Sequence, residues 1–387
     1  MTTTFAALGV APAIVEVLAQ AGIIAPFPIQ AATIPDGRAG RDVCGKAKTG
    51  SGKTLAFGIP MLERVHASAP GSPQGCVLVP TRELANQVEQ VLAPLARAMG
   101  FRTLPVYGGV SIEPQVAALQ HGVEVIIATP GRCIDLLERG ELSLAQVSVL
   151  VLDEADRMVD MGFLPQVQKI LYHVKGEHQT MLFSATLDGA INQIVKTYMN
   201  DPVAHEVGAD ETTVEAMEHR FLHVHEMDKV KVAATIARHS QRTLLFVRTK
   251  RMADKLVVAL KREGVNAGAI HGDLRQGVRE RALQSFTEGT LPVLVATDVA
   301  ARGIHVDDVD VVIHYDPADD HKSYLHRSGR TARAGRTGVA VTLSLWNEEN
   351  TIRQLQRRLG LRCPIVEVFS NDPRLGDLLQ WNPATLG

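Results

Sequence analysis

Cysteine is scarce in this chain, and the four present, Cys44, Cys76, Cys133 and Cys363, form no C-x-x-C pair. That scatter argues against a zinc site and against a disulfide framework, and it fits a reducing, cytoplasmic setting. Aromatic residues make up only 4% of the sequence, too few for the stacking surfaces that sequence-reading RNA modules use. Neither sign of charge dominates: 40 Lys plus Arg stand against 42 Asp plus Glu, a formal charge of −2. Any polyanion site must therefore be local. Long apolar runs are missing as well. No stretch approaches the roughly 18 apolar residues of a membrane span, and MTTTFAALGV at the start lacks the basic region and apolar core of a signal peptide.

What is present is a 387-residue chain, 45% apolar, long enough for two or three domains with real cores. Short β-branched runs recur as CVLVP at 76–80, VEVIIATP at 123–130, VSVLVLDEAD at 147–156 and TMLFSAT at 180–186. Amphipathic stretches such as 82–99 separate them. Strand and helix thus alternate, as a parallel sheet with crossover helices requires. A second series follows with RTLLFVRT at 242–249, VNAGAIHGD at 265–273, LPVLVATD at 291–298 and VDVVIHYD at 309–316. The reading is α/β throughout: a domain over 1–207, a polar acidic linker at 208–217, a second domain over 218–370 and a short tail at 371–387.

AKTGSGKT at 47–54 has the composition of a phosphate loop opening a helix. Glycines let backbone N–H groups turn toward phosphate oxygens, the helix N-terminus adds positive potential, Lys53 reaches the β- and γ-phosphates, and the Thr54 hydroxyl suits Mg²⁺. The strict pattern departs at Ala47, where glycine is usual; Lys48, Thr49, Gly50, Ser51 and Gly52 complete the loop. LVLDEADR at 150–157 places three carboxylates at the end of an apolar run, where ligands of open α/β sheets bind. Asp153 there suits Mg²⁺, and Glu154 suits a base that orients and deprotonates a water.

Together with PTRELA (80–85), GG (108–109), TPGR (129–132), SAT (184–186), ATDVAARGI (296–304) and HRSGRTARAGR (326–336), these motifs resemble the DEAD-box RNA helicases over almost the entire chain. The compact core resembles bacterial, RhlE-like members. The resemblance implies two RecA-like domains, each a mostly parallel sheet flanked by helices, with ATP, Mg²⁺ and RNA bound across the cleft between them. It implies RNA contacts at Pro80, Thr81, Arg82, Gly108, Gly109, Thr129, Gly131, Arg132, Arg248, Thr249 and Thr297, mostly to phosphate and sugar and hence with little sequence preference. Arg330 and Arg333 are implied as arginine fingers, Gly303 as a nucleotide contact, and Asp156, Ser184, Thr186 and His326 as residues coupling the domains. Read without the family, Arg327, Arg330, Arg333 and Arg336 could equally form a solvated basic face.

GIIAPFPIQ at 22–30 resembles the family's Q motif. Gln30 can pair its amide with the adenine edge. Phe5 is either a stacking face for the base or a hydrophobic staple near a helix start. Two positions depart from the family: Phe27 stands where threonine is common, and His305 where an aspartate usually contacts the ribose, with Asp307 nearby. The expected activity is ATP-dependent separation of short RNA duplexes. An ATP-dependent RNA clamp that hardly turns over and a DNA-directed helicase are the competing readings. No motif names a ribosomal or degradosome partner.

Overall fold

The computed structural model describes residues 3–47, 51–187, 189–207, 217–301, 309–331 and 338–381. The chain divides into two compact units, Met1–Ala209 and Asp210–Gly387. In the first, β1 (Val43–Lys46), β2 (Gly75–Leu78), β3 (Thr103–Val106), β4 (Val125–Ala128), β5 (Val149–Asp153), β6 (Gln179–Ser184) and β7 (Val203–Glu206) form one sheet, ordered β3-β4-β2-β5-β6-β1-β7. Every pairing is parallel.

The central strands read as continuous apolar runs because helices cover both faces. Along β5, Val149 and Val151 join the apolar layer on one face of the sheet while Leu150 and Leu152 join the layer on the other, as the two-residue period of a strand requires. The amphipathic stretch at 82–99 is the helix Arg82–Ala98. It packs on the first of these layers through Leu84, Val88, Leu92 and Leu95.

The second unit repeats this plan strand for strand. Its β8 (Met217–His223), β9 (Thr243–Val247), β10 (Ala267–Ile270), β11 (Val293–Thr297), β12 (Val311–His314), β13 (Gly338–Ser344) and β14 (Ile365–Glu367) are ordered β10-β11-β9-β12-β13-β8-β14. Again all pairings are parallel.

The sequence reading missed β1, β3, β7, β8, β13 and β14. β1 reads VCGK and β7 reads VAHE, and β3 carries Pro105. A proline is tolerated there because β3 lies at the sheet edge, where a missing N–H costs no ladder bond. At the other end of the chain, residues read as a tail from 371 are in part core. Leu375, Leu378 and Trp381 pack into the second unit's main apolar cluster, Arg374 lies 4.9 Å over the Trp381 ring, and Arg220 donates to the Trp381 carbonyl at 2.6 Å.

Candidate active site

In the first unit the order of the strands separates two groups of residues along one rim of the sheet. The C-terminal ends of β1, β5 and β6, neighbours in the sheet, carry Ala47, Asp153 and Ser184. Those of β2, β3 and β4 lead into Pro80–Arg82, Gly108–Gly109 and Thr129–Arg132. The residues read as nucleotide-binding thus fall on one half of the rim, and those read as RNA-binding on the other.

On the nucleotide half, the Ala47 N–H donates to the Ser184 carbonyl at 3.0 Å. Gly52 caps the helix Lys53–Arg64 with φ +84°, the left-handed region that glycine occupies without penalty. A Cβ there would lie 2.3 Å from Gln30 Nε2 and 2.6 Å from Phe27 Cδ2. Lys53 is buried and donates to the Ala47 carbonyl at 3.2 Å, while Ser51 and Thr54 are half-buried beside it. Lys48, Thr49 and Gly50 lie outside the described residues, as do Gly303, His305, Asp307, Arg333 and Arg336.

Asp153 ends β5 fully enclosed, and its Oδ1 accepts the Glu154 N–H at 2.9 Å. Burial pushes its carboxyl up to about 6, with Lys53 opposing and Glu154 adding to the rise. Glu154 has φ 51°, a left-handed conformation rare outside glycine. Its carboxylate pairs with Arg157, one turn on, and both side chains are almost wholly buried, at 3% and 6% exposure. Asp156 links this segment to SAT. Its N–H donates to Ser184 Oγ at 3.3 Å, and its Oδ2 accepts the Ala185 N–H at 3.1 Å. Thr186 is half-buried nearby in sequence.

Gln30 is buried, and its amide is already engaged. Oε1 accepts the Phe27 N–H at 2.8 Å and Nε2 donates to the Gly52 carbonyl at 2.9 Å. One lone pair and one donor hydrogen remain on that amide. Phe5 corrects the sequence reading: it is 2% exposed and sits among Val10, Ile14 and Ile29 in the core, with no ring face open to a base. The exposed aromatic beside Gln30 is Phe27, at 56%. Phe5→Ala should accordingly cost about 3–5 kcal/mol of stability by cavity formation while leaving the KM for ATP within twofold; denaturation and steady-state kinetics on one preparation test this.

On the RNA half, Thr81 caps the helix Arg82–Ala98 by accepting the Leu84 N–H at 3.3 Å. Gly109 has φ +78°, and a Cβ on it would meet Arg82 Nη1 at 2.1 Å, so the Arg82 guanidinium lies directly against this glycine. Arg132 Nη2 donates to the Val110 carbonyl at 2.9 Å, while its Nη1 is buried without a partner. The Thr129 hydroxyl makes no capping bond to its own helix, and the space around Gly131 is open. Pro80 is buried and Gly108 half-buried.

The second unit builds a related rim. Thr249 follows β9 and caps its helix through the Met252 N–H at 3.1 Å, as Thr81 does after β2. Arg248 is exposed, its N–H held by Asp316 at 2.7 Å and its Nη2 by Asp319 at 3.1 Å. Thr297 ends β11, buried. A cleft within this unit is lined by Phe246, Asp298, Ser323, His326, Arg327 and Arg330.

The arginine series is no solvated face where it is described. Arg327 is 2% exposed, holds both Asp298 oxygens at 2.6 Å and donates to the Asp316 carbonyl at 2.7 Å; Arg330 is buried as well. Arg157, Asp298 and Asp316 are the partners that sequence reasoning passed over, although two of them lie inside the quoted motifs LDEADR and ATD.

Behind this cleft His314 is fully buried, its Nε2 3.0 Å from Ser328 Oγ and its ring stacked 4.6 Å from Tyr324. Burial first, then Arg327 and His219, hold its pKa well below the usual histidine value. Because the folded value is depressed, the unfolded chain takes up the proton first. The stability this group contributes is present above about pH 6.5 and is lost as pH falls below it, at up to about 1.4 kcal/mol per pH unit. Denaturant titrations from pH 7 to 5 should therefore show a steeper decline for the parent than for His314→Gln.

Among the described residues no group of three or more His, Cys, Asp or Glu could hold a metal ion. Asp153 with the Thr54 hydroxyl fits Mg²⁺ all the same. That ion is usually bound by one or two protein oxygens together with water and phosphate oxygens rather than by an all-protein cage. No helix among the described residues is long and apolar enough to cross a membrane.

Comparison with known proteins bears on this geometry. A family model described as DEAD/DEAH box helicase matches residues 27–194, and one described as Helicase conserved C-terminal domain matches residues 227–335. The DEAD-box ATP-dependent RNA helicase CshA of Geobacillus kaustophilus is 43% identical over 357 residues, covering 92% of this chain and 76% of the relative. CshA of Bacillus subtilis is 41% identical over 359 residues, covering 92% and 72%. The structure of S. cerevisiae Dbp5 bound to RNA and ADP BeF3 matches with a TM-score of 0.83 at 31% identity, covering 95% of this chain and 96% of that one. That of a DEAD box protein from the hyperthermophile Methanococcus jannaschii matches at 0.53 and 34% identity, covering 94% and 99%.

Proposed function

Because this chain belongs to the DEAD-box family of ATP-dependent RNA helicases, we propose that the rim of its first unit binds ATP and single-stranded RNA side by side, and that hydrolysis is coupled to local opening of short RNA duplexes. The observation that carries this is the meeting of Lys53, Asp153 and Glu154 at the ends of β1 and β5, tied by Asp156 to the SAT segment that ends β6.

In this reading Lys53 holds the β- and γ-phosphates at the positive end of its helix. Thr54 and Asp153 hold Mg²⁺, which neutralises charge on the phosphates. Glu154 orients the attacking water and takes its proton. Gln30 uses its remaining donor hydrogen and lone pair on the adenine edge. Arg330 and Arg333 act as arginine fingers when the second unit engages the nucleotide, and His326 couples that event to Asp156, Ser184 and Thr186.

Arg82, Gly109, Thr129, Gly131 and Arg132, with Arg248, Thr249 and Thr297, track the RNA backbone. The unpartnered Nη1 of Arg132 supports this, because a buried cationic donor gains most from a phosphate oxygen. Backbone contacts carry no base code, so affinity falls with salt and varies little with sequence.

Phosphate release from ATP, measured with and without single-stranded RNA, tests the proposal. Strong stimulation by RNA that equal-length DNA does not reproduce is the expected result. RNA held tightly in ATP with almost no phosphate released would instead establish the clamp.

A further inference from the structure

Among the described residues of the site, Glu154 is the proposed base, and it is held in a buried ion pair. As a base it needs a lone pair aimed at a water, yet one carboxylate oxygen is taken by Arg157 Nη1 in a pair closed off from solvent on both sides. Two further features mark this arrangement as a held state rather than a resting optimum. Glu154 sits at φ 51°, a backbone conformation that persists in a non-glycine residue only where its surroundings impose it. The other terminal nitrogen of Arg157, Nη2, is buried without any hydrogen-bond partner, so half of the guanidinium's forked donor set is unsatisfied while it holds Glu154.

We propose that Arg157 is a latch on Glu154: a positioning residue that keeps the base occupied until RNA and ATP are both bound, and so sets how strongly hydrolysis depends on RNA. The inference rests on the reading of Glu154 as the base. Arg157 touches neither nucleotide nor water in this scheme and acts only through the carboxylate it holds. Release requires Arg157 to find another acceptor, and the open Nη2 shows that its donors are not saturated where it stands. The spacing is local, Glu154 to Arg157 within one helical turn, so the latch can open without disturbing the sheet. Asp156, between them, keeps its own bonds to Ser184 and Ala185.

The test replaces Arg157 by Met, close in length and uncharged, and measures phosphate release by the full chain with and without single-stranded RNA, beside Arg157→Lys and Glu154→Gln. A latch predicts that Arg157→Met raises the RNA-free kcat about five- to twentyfold. The KM for ATP stays within twofold, the RNA-saturated kcat changes less than the RNA-free one, and Arg157→Lys restores a low RNA-free rate. A residue that merely supports the fold would not raise kcat at constant KM. An RNA-free rate that is unchanged or lower in Arg157→Met, while Glu154→Gln is inactive, overturns the latch and leaves the base assignment standing. If Glu154→Gln turns over like the parent, the base assignment fails first, and the latch fails with it.

Discussion

Replacement of Glu154 by Gln should lower RNA-stimulated phosphate release by on the order of 10²–10⁴-fold, the usual contribution of a positioned general base. ATP and RNA binding should survive, because neither the phosphate loop nor the RNA half of the rim uses this carboxylate. The same substitution should also destabilise the first unit. It removes one member of a pair whose side chains are only 3% and 6% exposed, which leaves the Arg157 charge buried and uncompensated; breaking such pairs costs about 3–5 kcal/mol.

The two effects separate cleanly. Nucleotide and RNA affinity, with single-turnover hydrolysis, are read well below the melting transition, and stability is read by denaturant titration. A double-mutant cycle with Arg157→Met then isolates the pair: the stability loss in the double variant should be smaller than the sum of the single losses. Hydrolysis by Glu154→Gln within tenfold of the parent would remove Glu154 from the mechanism.

In the second unit, Arg327→Ala is expected to have the largest effect on stability. Arg327 holds Asp298 through two bonds, reaches the Asp316 carbonyl and lies 5.3 Å from the Phe246 ring centre. Truncation removes all of these and leaves Asp298 beside Arg330 in the cleft. Because the Asp298 side chain keeps 26% exposure, water relieves part of the penalty, which places the loss near about 3 kcal/mol, the low end for buried pairs.

At about 2–4 °C per kcal/mol for a domain of this size, that loss lowers the melting transition of the second unit by roughly 10 °C. Arg327→Lys should recover little of it, since a point charge cannot reproduce the fork that meets both carboxylate oxygens. Thermal melts of the two variants would decide; a transition within about 2 °C of the parent in Arg327→Ala would show that the Asp298 pair contributes little.

The strands β2, β4, β5, β6, β9, β10, β11 and β12 were legible because strands covered by helices are apolar over most of their length, and such runs stand out against amphipathic helices. The strands β1, β3, β7, β8, β13 and β14 were not. Their pairing is decided by neighbours far along the chain, and a four-residue segment such as VCGK has no period of its own to read. The weakly patterned stretch after 370 hid Leu375, Leu378 and Trp381 for the same reason: three apolar residues spaced along a short 3₁₀ turn and the chain after it declare a core only once the surface they fill is known.

The site divides in the same way. The sequence by itself determined which chemical groups are present and their order: the segment read as a phosphate loop, the DEAD and SAT segments, the glycines and arginines read as RNA contacts, and with them the family. Local spacing carries that information because backbone turns, helix starts and strand ends need particular residues at short range. Tertiary structure alone decided what each side chain touches. It buried Phe5 in the core and left Phe27 exposed beside Gln30, joined Arg327 to Asp298 across 29 positions, and enclosed Glu154 with Arg157. Burial and pairing depend on which distant elements the sheet order brings together, and that is a property of the packed chain rather than of any stretch within it.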